Sequence, residues 1–441
     1  MKFSRKLAIA AIPAAMALSA PDESKSKLLL MSQEGWEVSF DGAANAFVMH
    51  QSSDASTVAA AGNSSGGGDG ANGVTTFETN GAVMGAGTDS TGVVTGLLPN
   101  VWGMTLKAPT NNGLDMQARL GLYTHMNGGN NALGNGQINL RETNFSVSGS
   151  FGTILVGRSL GIYSSSGILN DMLLFGVGAA ATADNSNTTL GRIGLGYLYT
   201  DFQPQISWTT PGFGPIGFKV GLFDPNDVIS VNSAADATEN VTPRVEAQAT
   251  FATEVSGVSA NFWVEGSYQN TEFTAAAAST CNAIPTTGAQ AGSPVNSNCD
   301  DVDSAGVAAG TKLSIGNFSI VASGWYGSGM GMRGQHSEGA LDAVGKPFQS
   351  YGGYLQGTAD LGGGTNVGYS YGGNYKLQTG NEISSTAVAE VNFNDMHSVM
   401  VWHNVNDSFR LIAEGGYVRQ AFHMGGANED TFGGVGAFFF W

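Results

Sequence analysis

Arg244-Val245-Glu246-Ala247-Gln248-Ala249-Thr250-Phe251 alternates without a break. Val245, Ala247, Ala249 and Phe251 share one face, and Arg244, Glu246, Gln248 and Thr250 share the other. Side chains of a strand point alternately to its two sides, so a two-residue period predicts a ribbon with one apolar and one polar face. The same rhythm puts Ile193, Leu195, Tyr197 and Tyr199 on one face of 192–199. It also sets Met116, Ala118, Leu120 and Leu122 against Asp115, Gln117 and Arg119.

Outward from these stretches, the pattern predicts strands near 36–51, 92–107, 114–123, 139–147, 153–158, 191–210, 216–223, 243–252, 259–271, 305–315, 318–329, 349–360, 365–377, 397–404, 409–419 and 431–441. That is about sixteen, an even number within the range of transmembrane barrels. Short connections, such as 108–113, 148–152, 316–317 and 361–364, alternate with long ones, such as 51–91, 159–190, 271–304 and 330–349. Tight turns on one side and long loops on the other are expected of an antiparallel barrel in an outer membrane. In lipid every backbone polar group must be paired, so a sheet that spans must close. A β-helix would need a fixed internal repeat, and the sequence has none. The expected fold is an all-β transmembrane barrel over 36–441.

Composition agrees. Gly is 65 of 441 residues and charged residues are 12%, against roughly 25% charged in soluble domains. Residues 1–19 read as a secretory signal, with Met1-Lys2-Phe3-Ser4-Arg5-Lys6 as its basic start and Leu7 to Met16 as an apolar stretch too short to span a bilayer. A polar lead-in, 20–35, follows; for Lys25 to Ser32 a short helix and no regular structure both stay open. Cys281 and Cys299, the two cysteines, share one polar loop of a secreted chain, so a disulfide is expected, with two free thiols as the alternative. Val435, Ala437, Phe439 and Trp441 alternate up to a terminal aromatic residue.

Removing Lys2, Arg5 and Lys6 with the signal lowers the basic count from 18 to 15 against 35 acids, a balance of −20. Such a chain is no partner for nucleic acid or for the surface of anionic lipid. None of the six His lies in a His-Glu-x-x-His motif or a Gly-x-Ser-x-Gly elbow. No metal, cofactor or enzymatic activity is expected. Trp263, Trp325 and Trp402 read as an interfacial girdle or, in a sugar-specific channel, as an aromatic path through the pore.

The stretch from Arg141-Glu142-Thr143-Asn144-Phe145 through Ser150-Phe151-Gly152-Thr153 to Val156-Gly157-Arg158 resembles the strand, tight turn and strand that precede the third loop of the general bacterial porins. Gly191-Arg192, Trp208 with Pro211, Phe223-Asp224-Pro225 and the terminal Phe440-Trp441 fit the same family. The resemblance implies an outer-membrane homotrimer of a Gram-negative bacterium. Its water-filled channel would pass small hydrophilic solutes and ions, with a solute-specific channel or an adhesin on the same barrel as alternatives. It also implies that loop 159–190 folds into the pore, with its acids Asp171 and Asp184 facing wall bases drawn from Arg119, Arg141, Arg158 and Arg192. Met172-Leu173-Leu174-Phe175 would pack on the wall and present the Asp171 carboxylate to water. The acid excess at the mouths would add a mild bias toward cations.

Overall fold

The computed structural model describes residues 27–54, 89–126, 138–179, 188–231, 235–275, 277–278, 300–337, 339–342, 344–379, 391–423 and 427–441. The proposed signal, Cys281, Cys299 and Asp184 lie outside the described residues. In chain order the strands are β1 (Leu28–Gln33), β2 (Trp36–Asp54), β3 (Asp89–Val94), β4 (Asn100–Lys107), β5 (Asp115–Thr124), β6 (Ile138–Gly149), β7 (Gly152–Leu160), β8 (Phe202–Thr209), β9 (Ile216–Phe223), β10 (Ala237–Glu239), β11 (Arg244–Val255), β12 (Val258–Phe273), β13 (Asp301–Ile315), β14 (Phe318–Ser328), β15 (Gln349–Gly362), β16 (Thr365–Lys376), β17 (Val391–Asn406), β18 (Phe409–Phe422) and β19 (Ala427–Phe440). The loop after β7 carries α1 (Ser165–Asn170) and a 3-10 turn at Met172–Phe175.

Neighbours in sequence pair antiparallel around the sheet, and β19 returns to pair with β2 from Glu429↔Asp54 to Phe440↔Ala43. At this seam Gly42 N–H donates to the Trp441 carbonyl (2.9 Å) and Trp441 N–H to the Gly42 carbonyl (3.1 Å). β3 and β4 lie end to end along one side of β2, so they form one stave. With the short β1 and β10 set aside, the wall is a closed barrel of sixteen staves. The tight hairpins are cut by their residues. Glu34-Gly35 and Ser256-Gly257 all have positive φ, the two-residue turn whose twist matches paired strands.

The alternation that predicted the wall also sorts its faces. Val245 and Phe251 are exposed on the outside, whereas Glu246 is wholly buried inside. Phe218, Leu222, Val264, Ile320, Leu355 and Val399 extend this exposed apolar belt around the barrel. A contiguous belt of this extent would not stay solvated in water; it is the lipid-facing surface of a membrane-spanning barrel.

Three expectations are corrected. Part of the lead-in is a strand, β1, in a hairpin with β2. The strand expected at 191–210 starts only at Phe202, because Gly191, Gly194 and Gly196 take positive φ and turn the alternating residues into the lumen. Trp263, Trp325 and Trp402 point inward: Trp263 and Trp325 are buried, and Trp402 packs against the core. They form neither an outer girdle nor an open path.

Candidate functional site

The chain leaves β7 at Leu160, turns into the barrel, and rejoins the wall at β8. Its described part runs along the inner wall. Ile162 and Tyr163 meet β11, Ser166 meets β12, Met172 meets β15, and Val177 and Gly178 meet β18. Leu97, in the linker between β3 and β4, donates its N–H to the Gly176 carbonyl (2.9 Å). The return strand of this loop lies against the first, with Leu190 and Gly191 bonded back to Ala179 and Val177. The loop is apolar where it touches the wall. Ile168, Met172, Leu173, Leu174, Phe175 and Val177 join one buried cluster with Phe47, Met400, Ile412, Phe438 and Phe440.

A loop inside a barrel carries backbone N–H groups that no strand pairs, and buried ones must find acceptors. Wall side chains supply them. Glu246 accepts from Ile162 N–H (2.7 Å) and Tyr163 N–H (2.9 Å). Glu265 accepts from Ser166 N–H (3.0 Å), and the Gln356 carbonyl from Met172 N–H (2.7 Å). Glu414 accepts from Val177 N–H (2.8 Å) and from Gly178 N–H. Gly176 faces Glu414 so closely that a Cβ there would meet its carboxylate. For the three glutamates, acceptance by a carboxylate oxygen makes these the stronger kind of hydrogen bond.

Asp171 and Arg192 come together, but away from water. Arg192 Nε lies 3.6 Å from Asp171 Oδ1, and both side chains are fully buried. Asp171 also caps the 3-10 turn by accepting from Leu173 N–H (3.1 Å) and accepts from the Tyr197 hydroxyl (2.8 Å). Arg192 donates to Ser370 on β16 and lies over the Tyr354 ring, 5.6 Å from its centre. Burial pushes the Asp171 carboxyl above the usual carboxylate range, against the pull of Arg192, the Leu173 amide and Tyr197. Two expectations change here. Arg192 belongs to the returning loop and not to a wall strand, and Asp171 presents no carboxylate to water.

The wall from β2 to β6 carries a different cluster. Arg119 on β5 bonds Asp41 on β2 (2.9 Å) and Glu142 on β6 (2.9 Å), with Arg119 and Asp41 12% and 19% exposed. Arg141 also turns inward. The β5–β6 register slips between Gly121 and Leu122, so Arg141 and Glu142 reach the lumen side in succession. Arg141 sits between the Tyr123 and Phe202 rings (5.3 and 5.7 Å) and donates to the Tyr199 hydroxyl (3.2 Å).

Arg158 departs from expectation. It is in register with Thr143 and Pro204. It therefore shares the face of β7 that carries Ile154 outward, 40% exposed. Its side chain is half-buried, with the Nε enclosed, and no ion pair joins it to Asp171 among the described residues. Sequence reasoning missed Glu246, Glu265, Gln356 and Glu414. Each occupies the polar phase of a recognised strand, but only the course of the loop shows what that phase faces.

No family model matches the chain, and no curated protein matches its sequence. Solved structures do. The outer membrane channel DcaP of Acinetobacter baumannii is 13% identical, with 94% of this chain and 99% of that chain covered and a TM-score of 0.62. The anion-selective porin from Comamonas acidovorans is 14% identical, with 92% and 100% covered and a TM-score of 0.55. OmpT of Vibrio cholerae, an outer membrane protein, is 13% identical, with 94% and 99% covered and a TM-score of 0.52. At these identities the likeness is one of architecture, over nearly the whole of each chain: this protein has the fold of the Gram-negative outer-membrane porins and channels.

Proposed function

We propose that the protein is an outer-membrane porin of a Gram-negative bacterium, a channel through which small hydrophilic solutes and ions diffuse passively. The observation that carries this reading is the inserted loop, held along the inner wall of a closed barrel by buried acceptors. Such a loop narrows a lumen without covalent attachment. Asp171 and Arg192 fix its shape, and Arg119 with Asp41 and Glu142, together with Arg141, forms the charged wall that solutes pass. Asp184 belongs to the same loop in sequence. The chain performs no chemistry in this reading; its partners are outer-membrane lipid, solutes and ions, and two further copies in a homotrimer.

Stepwise conductance increments on adding the purified protein to a planar lipid bilayer are expected. Membranes that take up folded barrel yet show no steps would overturn the channel reading. A monomeric mass in mild detergent would remove the trimer and leave the channel.

A further inference from the structure

We propose that the connection 329–348 between β14 and β15 is a second inserted loop that roofs the first. Solutes from outside then enter along the opposite wall, at β2 to β6, and are sized there before they reach the constriction. The transport part of this inference rests on the channel reading; the roof itself does not.

A long connection on the outer side of a barrel ordinarily runs over the surface, in contact with water. This one turns in. Met330, His336, Ala340, Leu341 and Phe348 are each at most 1% exposed. Its apolar side chains dock on three separate parts of the molecule. Met330 packs with Tyr163 and Leu198 of the inserted loop, Leu341 with Val228 and Phe273, and Met332 with Val391 of β17 and Phe422 of β18. The buried backbone needs partners of its own, and they come from the same surroundings. The Arg333 carbonyl accepts from Tyr199 N–H (2.7 Å), the His336 carbonyl from Ile229 N–H (3.1 Å) and the Leu341 carbonyl from Val231 N–H (2.9 Å). The Met332 carbonyl accepts from Asn374 Nδ2 (2.7 Å), and the Gly331 carbonyl from the Ser350 hydroxyl (2.8 Å). His336 takes a left-handed backbone, with φ 61°, which is uncommon for a non-glycine residue. Its N–H bonds back to the Met330 carbonyl (3.0 Å), and this bend returns the chain to the wall.

The register of the wall sets the order of the two loops. Gln335 Nε2 donates to Glu246 (3.1 Å), the carboxylate that also holds Ile162 and Tyr163. Gln335 Oε1 accepts from the Ser267 hydroxyl (3.1 Å). On β12, Ser267 is the next inward residue on the outer side of Glu265, which holds Ser166. On β16, Asn374 lies beyond Ser370, the partner of Arg192, on the same outer side. The second loop therefore lies above the first and over the same sector of wall, from β11 to β18. In the ring of sixteen staves β5 and β6 stand opposite β14 and β15. That is the side on which Asp41, Arg119 and Arg141 line the lumen. A solute arriving from outside meets the roof first and is turned toward this cluster.

Two measurements on the full-length protein test this. The first is trypsin digestion of the folded barrel in detergent. Arg333 is the single cleavage site in 329–348, because Lys346 precedes Pro347. The chain should stay intact at Arg333, and cleavage there overturns the roof. The second uses polyethylene glycols of graded size, added to one side of a planar bilayer at a time. Streptavidin binding to a biotin placed at the turn 316–317 identifies the periplasmic side. The largest glycol that enters, read as a drop in single-channel conductance, should be smaller from the loop side than from the periplasmic side. Replacing 331–346 by Gly-Ser-Gly keeps the bond from Gly329 N–H to the Phe348 carbonyl (2.9 Å) that closes the base of the loop. In this variant the difference between the two sides should be lost. Equal exclusion from both sides of the wild-type protein overturns the entrance inference and leaves the channel standing. So does a folded variant that keeps the difference. A wild-type protein without conductance overturns the channel reading, and the fate of Arg333 still decides the roof. Should the variant fail to assemble, the wild-type difference and the digestion decide between them.

Discussion

The inner wall has two sectors that solve different problems. From β11 round to β19 the wall faces the inserted loop and offers it an apolar surface studded with Glu246, Glu265, Gln356 and Glu414. From β2 to β6 it carries a compact ionic cluster, Asp41, Arg119 and Glu142, with Arg141 above it. In the first sector carboxylates serve backbone amides and disappear from the lumen. In the second they serve an arginine, and part of the cluster stays in contact with water. Acids of identical chemistry thus become structural or electrostatic according to whether a loop lies on them.

The contrast can be broken at its most buried point. Replacing Asp171 by Ala leaves Arg192 charged and fully buried, and uncompensated buried charges cost about 3–5 kcal/mol. The loop should loosen, with a lower denaturation midpoint and cleavage between 165 and 179 by added protease. Unchanged stability would mean that Arg192 has another partner. Next comes Glu414→Ala, which strands the Val177 and Gly178 amides. A cost of about 2–3 kcal/mol follows from losing bonds to a charged acceptor, with larger or noisier single-channel steps; steps of normal size and quiet would argue that this clamp does not hold the loop.

The other sector should respond in selectivity before stability. Arg119→Ser frees the Asp41 and Glu142 carboxylates and should move the permeability ratio toward cations by about threefold or more, measured as a reversal potential. The smallest effect is expected for Arg158→Ser, whose register points it outward. Its ratio should stay within about 1.5-fold of wild type, because charge outside the wall does not share the focused field of the lumen. A large shift there would place Arg158 in the pore and reverse the face assignment of β7.

The staves were legible because a barrel wall imposes one pattern along its length, apolar to lipid and polar or small to the inside. Val245 and Phe251 against Glu246 and Gln248 showed it in eight residues. The inserted loop was legible as a gap between strands, but the burial of Asp171 and Arg192 against each other was not, since Arg192 was read as part of a wall strand. The misreadings share a cause. Ile193, Leu195 and Tyr197 alternate because Gly194 and Gly196 stand between them, and the period cannot tell a glycine that accepts positive φ from one in a strand. Arg141 shares a phase with outward Phe145, and only the slip between Gly121 and Leu122 brings it inside. The glutamates could not be read as clamps, since their partners are backbone amides some 80 to 240 residues away in the chain.

The seam between Gly42 and Trp441 has a consequence for how the molecule comes to exist. β2 finds its second neighbour only in β19, so one side of the first full-length stave must wait for nearly the whole chain to arrive. Until then two unpaired edges persist, each a template for pairing with another chain. Contacts of such separation also make for slow folding. A nascent barrel of this design therefore has to be shielded at both edges for the duration of synthesis and delivery, and its productive assembly should depend on the integrity of the β19 pairing more steeply than on any stave in the middle of the wall.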